Sequence, residues 1–139
     1  MHVLIVKPMK PPEVKDISGT LESMQATVGG LIQAVYPFEE SVALICNDEG
    51  KLMNLPANRY VPELPDIICG TFFLCNAPPG SEHFTSLTEE QLHRYAQRFA
   101  TPQLFFFRRL WSMKWTLAGF ALTLAILIIM EEDHTVAKN

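Results

Sequence analysis

Gly29 and Gly30 constrain this chain more than any other pair of residues. Ahead of them, Thr20 can cap a helix, and Leu21, Met24 and Val28 recur at the spacing of one helical face. Behind them, Leu31 to Tyr36 is an apolar run of strand character. Gly29 supplies the left-handed residue that stops the helix, and Gly30 frees the backbone to turn at once into the strand. A helix joined to a strand without a linker packs on the sheet it feeds. The pair lacks the spacing of a dinucleotide or P-loop phosphate cradle, so it marks a corner.

Strand patterns surround this corner. His2 to Val6 is a short apolar run ended by Pro8, and residues 8–16 hold three prolines and read as a connecting loop. Ser41 to Cys46 is near-continuously apolar, which places it centrally in a sheet. Asn47-Asp48-Glu49-Gly50 is a turn, with the first two side chains as caps and Gly50 at positive φ. Lys51 to Leu55 is then expected as a fourth strand, completing an antiparallel meander. Pro56 to Pro65 is expected to be irregular.

Ile67 to Asn76 reads as a fifth strand, with a bulge or close backbone approach at Gly70, and residues 77–86 as a Pro/Gly/Ser loop. Thr88 and Gln91 have capping-box spacing, and Leu87 and Leu92 that of a hydrophobic staple. They open a helix with Leu92, Tyr95 and Phe99 as its buried stripe, ended by Pro102. The expected fold is α+β: a mainly antiparallel sheet of about five strands, two helices packed on one face, and a C-terminal hydrophobic helix.

The chain changes character near residue 104, dividing into a soluble domain, 1–104, and a hydrophobic tail, 105–139. Thr116 to Met130 are 15 residues without a charge, a helix of about 22 Å. Extending back to Leu110 gives 21 residues, interrupted only by Ser112 and Lys114, close to the ~20 that span a bilayer. A transmembrane helix over 110–130 is one expectation. Arg108, Arg109 and Lys114 before it then keep the first domain cytoplasmic, anchored at the inner membrane. A helix buried in a core or an oligomer interface is another, and a tail foreign to the domain a third. Gly119 and Thr123 form a small-xxx-small pair suited to homo-oligomers. The start, MHVLIVKPMK, lacks the layout of a signal peptide.

Residues 1–104 carry 12 acids against 7 lysines and arginines. No basic face precedes Arg108, which argues against direct nucleic-acid binding. Cys46, Cys69 and Cys75 are odd in number and lack C-x-x-C, so buried reduced thiols are expected rather than disulfides or zinc. Neither G-x-S-x-G nor H-E-x-x-H occurs, and His2, His83, His93 and His134 are far apart. A Cys-His pair would require Cys75 and His83 to meet. No cofactor, metal or catalytic residue is indicated, and an enzyme is the least favoured class.

The polar residues with a candidate binding role are Asn47, Asp48, Asn58 and Arg59. Asn58 and Arg59 present a fork of donors suited to a carboxylate, a phosphate or a backbone. Turn capping by Asn47 and Asp48, and an Arg59 that bonds loop carbonyls, is the structural alternative.

In order, TLESMQATVGGLIQAV, ALICNDEGKLMNLPANR, GTFFLC and SLTEEQ resemble a small family of domains of unknown function, widespread in conjugative elements, plasmids and phages of Firmicutes. The resemblance covers residues 1–103. It implies that Gly29, Gly30, Asn47, Gly50, Asn58 and Arg59 are the marked positions, with the glycines as structural turns. Gln33 stands where the family pattern leads one to expect an acid. The resemblance implies an accessory protein of mobile DNA that binds a protein or small ligand, without a catalytic assignment. A tail-anchored protein that recruits partners at the envelope is the alternative.

Overall fold

The computed structural model describes residues 1–105. Among these residues seven strands and two helices follow in the order β1 (His2–Val6), β2 (Glu13–Asp16), α1 (Leu21–Val28), β3 (Ile32–Val35), β4 (Val42–Asn47), β5 (Ala57–Val61), β6 (Asp66–Cys69), β7 (Phe72–Asn76) and α2 (Glu89–Arg98). Five strands form one antiparallel sheet in the order β2-β1-β7-β4-β3, and β5 and β6 form a separate two-stranded ribbon. The fold is therefore α+β and mainly antiparallel, as the sequence implied.

The inner strands explain why both faces of the sheet are covered. Val42 to Asn47 are all buried, as are Phe72 to Cys75. A strand buried on both sides needs a layer over each. Alternation along β1 sends Val3 and Ile5 to one core with Met24 and Val28 of α1, and Leu4 and Val6 to another with Tyr95 and Phe99 of the α2 end. The expectation of two helices on one face is corrected: α1 covers one face, and α2 with the β5–β6 ribbon covers the other.

The corner at Gly29 forms as the sequence requires. Thr20 accepts from the Ser23 N–H at the start of α1, and Gly29 stands at φ 81° at its end. The α1 stripe is shorter than expected, because Leu21 in the first turn is 54% exposed. At α2 the full capping box is present, and Leu87 is buried beside it.

Three expectations are corrected. Residues 13–16 pair with β1 rather than looping; their charges suit an edge strand, where side chains need no burial. Lys51 to Leu55 is not a strand, since bonds from Met53 N–H to Glu49 O (2.9 Å) and Leu55 N–H to Gly50 O (3.0 Å) coil it into a wide turn. Strand structure resumes instead at Ala57, inside the segment expected to be irregular.

The run Ile67 to Asn76 is two strands in two sheets. Gly70, at φ 85°, is the pivot between them, a conformation that side chains oppose. No described helix is long and apolar enough to cross a membrane. The expected span over 110–130 lies outside the described residues.

Candidate functional site

Asn58 and Arg59 are consecutive, yet both are fully buried. A regular strand would send one of them outward. The β5–β6 register slips between Ala57 and Arg59, and this bulge turns both side chains inward. The Asn58 amide donates to Val6 O and Gly70 O, each at 2.8 Å, and its Oδ1 accepts from Arg59 Nη1 at 2.8 Å. Arg59 Nη2 donates to Lys10 O at 2.7 Å and Phe99 O at 3.0 Å.

This pair ties together β1, the β1–β2 connection, the Gly70 pivot and the end of α2. No carboxylate lies within ion-pair reach of Arg59 among the described residues. Its charge faces the carbonyl of Phe99, the C-cap of α2, where the helix dipole is negative. Burial pulls its pKa below the usual arginine value. Its Nε lacks a partner among the described residues.

Asn47 belongs to a different cluster. Its Nδ2 donates to Val28 O at 3.3 Å, and its Oδ1 accepts from the Glu49 N–H at 2.8 Å. It thus holds the end of α1 against the turn that follows β4. A Cβ on Gly30 would stand 2.8 Å from that Nδ2, so the glycine makes room for the asparagine. Gly50 is a glycine for a related reason, since a Cβ there would stand 2.7 Å from Cys69 O. Its expected positive φ is not found; within this turn it is Asn54 that adopts one, at 54°.

Asp48 is exposed, and its N–H donates to Leu31 O at 2.8 Å. No hydrogen bond joins the Asn47 turn to the Asn58–Arg59 pair among the described residues. Cys46, Cys69 and Cys75 are free and buried, and burial pushes the Cys46 thiol up to about 11 and the Cys75 thiol to about 12. Cys75 is fully buried while His83 is exposed and bonds Ser81; no hydrogen bond joins the two among the described residues. Among the described residues no three His, Cys, Asp or Glu side chains gather to hold a metal.

An open groove of about 630 Å³ that the sequence did not suggest runs between α2 and two loops, lined by Phe38, Glu40, Glu63, Arg94, Tyr95 and Arg98. Arg94 forks onto Glu40 at 2.8 and 3.3 Å and also reaches Glu90 at 3.0 Å. Arg98 forks onto Glu63 and stacks over Phe38, 4.9 Å from its ring centre. Only the Glu90–Arg94 spacing is legible locally, because Glu40 and Glu63 arrive from distant loops. Neither this groove nor a smaller one of about 340 Å³ beside Tyr36 and His83 is lined by Arg59, Asp48 or a cysteine.

These ion pairs make α2 docking acid-sensitive. Hydrogen bonds from Arg94 and then Tyr95 hold Glu40 below the usual carboxylate pKa, and hydrogen bonds from Arg98 do the same for Glu63. A depressed folded pKa gives stability that is complete above the unfolded value, about 4.3, and is lost as pH falls toward the folded one. The pairs are about one-third to one-half exposed, so solvent screening keeps the contribution of each small. Urea unfolding between pH 6 and pH 3 is expected to show a smaller acid loss in a Glu40→Gln/Glu63→Gln variant than in the parent chain. Equal losses would assign the acid sensitivity elsewhere.

Residues 1–100 match the family described as Domain of unknown function (DUF3846). No curated protein and no solved structure matches the chain.

Proposed function

The chain belongs to the DUF3846 family over residues 1–100, and on that premise we propose that it is a non-catalytic accessory protein of a phage or conjugative element that works by binding a protein partner. One observation carries the reading. The marked polar residues are committed to the fold's own main chain, while large apolar side chains stand exposed around the Asn47 corner. Leu31 is 56% exposed, Leu52 83% and Met53 50%. Met53 Sδ lies 3.7 Å from Asn47 Nδ2, and Leu31 O bonds Asp48, so Leu31 and Met53 border the same turn. Exposed apolar side chains gathered in one place suit a protein interface.

The test is cross-linking of the full chain in host lysate, with the cross-links mapped on both partners. Leu52→Glu and Met53→Glu are expected to cut partner recovery at least fivefold while each leaves the melting temperature within about 4 °C, since exposed substitutions seldom change stability by more than ~0.5 kcal/mol. Recovery of no specific partner would end the binding-module reading.

A second reading adds the tail. The uncharged run 116–130 follows Arg108, Arg109 and Lys114, a layout suited to a tail anchor that holds residues 1–104 at the cytoplasmic face. Release of the full chain by a carbonate wash would end it.

A further inference from the structure

The two edges of the five-stranded sheet are built differently. At one edge Glu13, Val14, Lys15 and Asp16 of β2 are all exposed, with ion pairs from Lys7 to Glu13 (3.3 Å) and from the amino terminus to Asp16 (3.0 Å). Charges of this kind discourage further strand pairing. At the other edge β3 reads Ile32-Gln33-Ala34-Val35, with no charge, no proline and no slip in its register with β4.

The Asp48 N–H bonds Leu31 O at 2.8 Å. Continuing that register, residues 31, 33 and 35 exchange hydrogen bonds with β4, and the main-chain groups of Ile32 and Ala34 point away from the sheet. No group outside the sheet bonds them among the described residues.

The ends of β3 carry further information. Leu31 at one end and Tyr36 at the other are 56% and 58% exposed. Exposed acids stand near both ends: Asp48, paired with Leu31 across the ladder, with Glu49 next to it, and Glu39 three residues after Tyr36. None of these three is in an ion pair among the described residues. An uncharged edge flanked by free carboxylates at both ends is complementary to an extended segment with basic ends. A second copy fits poorly, because two-fold antiparallel pairing brings the Asp48 end of one chain toward the Glu39 end of the other.

We propose that the β3 edge accepts an extended segment of a partner protein as a sixth strand, with apolar residues over Leu31 and Tyr36 and lysine or arginine at each end. The proposal rests on the protein-binding reading and gives it a site and a partner chemistry. Main-chain bonds to Ile32 and Ala34 supply affinity, and the flanking side chains supply selectivity.

The probe is the synthetic peptide Lys-Lys-Val-Thr-Val-Val-Thr-Val-Lys-Lys, whose first and last valines are five residues apart, as Leu31 and Tyr36 are, with a second peptide bearing glutamate in place of each lysine. The full chain is expected to bind the basic peptide at least tenfold more tightly than the acidic one, less tightly in 1 M salt, and to show slowed hydrogen exchange at the Ile32 and Ala34 amides. Ala34→Pro removes an outward donor and spares the bonds to β4, and is expected to weaken binding at least tenfold. Leu31→Lys, an exposed change that leaves the ladder intact, is expected to do the same should the proline variant not fold.

Failure of the basic peptide to bind, or binding indifferent to both variants, overturns the proposal. Self-association abolished by Leu31→Lys overturns it in favour of a second copy. A cross-linked lysate partner whose recovery ignores Ala34→Pro and Leu31→Lys also overturns it, while leaving the protein-binding reading standing; absence of any partner removes that reading instead.

Discussion

Replacing Arg59 by alanine is expected to destabilise the domain by about 3–5 kcal/mol. The substitution strips donors from Asn58 Oδ1, Phe99 O and Lys10 O; Lys10 is exposed, but each acceptor left buried and unpaired, as Asn58 Oδ1 and Phe99 O would be, costs about 1–3 kcal/mol. It also opens a void where a fully buried side chain stood, which adds to the loss because interiors relax only in part. For a domain near 100 residues each kcal/mol moves the melting temperature by about 4–8 °C, so a drop of at least about 12 °C is expected.

Arg59→Lys should recover less than half of that loss, because an ammonium cannot reproduce the planar fork that spans Asn58, Lys10 and Phe99. Asn58→Ala should cost a comparable amount. Because the two side chains share a bond, the double variant should lose about 1–3 kcal/mol less than the sum of the singles. Urea unfolding of the four chains measures this. A loss below about 1 kcal/mol for Arg59→Ala would show that the pair does not hold the elements together.

Gly50→Ala is the second large effect, expected at about 2–3 kcal/mol. The added methyl would meet Cys69 O at 2.7 Å, and a backbone carbonyl in β6 cannot swing aside as a side chain can. Either the turn after β4 or the β5–β6 ribbon must shift. Gly19→Ala is the matched control: a Cβ there meets nothing within 4 Å and its φ is not positive, so the change should be neutral or stabilising by up to about 1 kcal/mol. Similar melting temperatures for the two variants would remove the close approach as the reason for a glycine at 50.

Local signals in the sequence are legible, and tertiary ones are not. Thr20, Gly29, Thr88 and Gln91 act within a few residues of their partners, so α1 can be read to both ends and α2 from its start; α2 stops at Arg98, short of the Pro102 expected to end it. His2 to Val6 is legible because a short apolar run before a proline has few alternatives. Residues 13–16 escape a sequence reading because an edge strand needs no apolar face; its charges make it look like a loop. Ala57 to Val61 escapes it because the bulge spoils the period of two and its two fully buried polar residues hide its inward face.

The mistaken strand at Lys51 to Leu55 has the opposite cause. Leu52 and Met53 promise burial and are exposed. As for the candidate site, Asn58 and Arg59 stand out in the sequence as unusual polar residues. What they reach (Val6, Lys10, Gly70 and Phe99) lies between 12 and 52 residues away in the chain, a distance over which no local pattern carries information. The open edge at β3 is equally invisible, since strand order decides which strands lie outermost.

The place of β7 in the strand order bears on how the protein is made. Among the described residues it is the last strand of the large sheet to be synthesised, yet it lies in the middle, between β1 and β4. Until Asn76 has emerged from the ribosome, the nascent chain holds two separate hairpins, β1–β2 and β3–β4, with no strand to pair between them. Each then shows an apolar inner edge, Val3 to Val6 in one and Val42 to Cys46 in the other, of the kind that pairs with stray strands. Insertion of Phe72 to Asn76 closes both edges in a single event, so sheet assembly waits on the arrival of one five-residue segment.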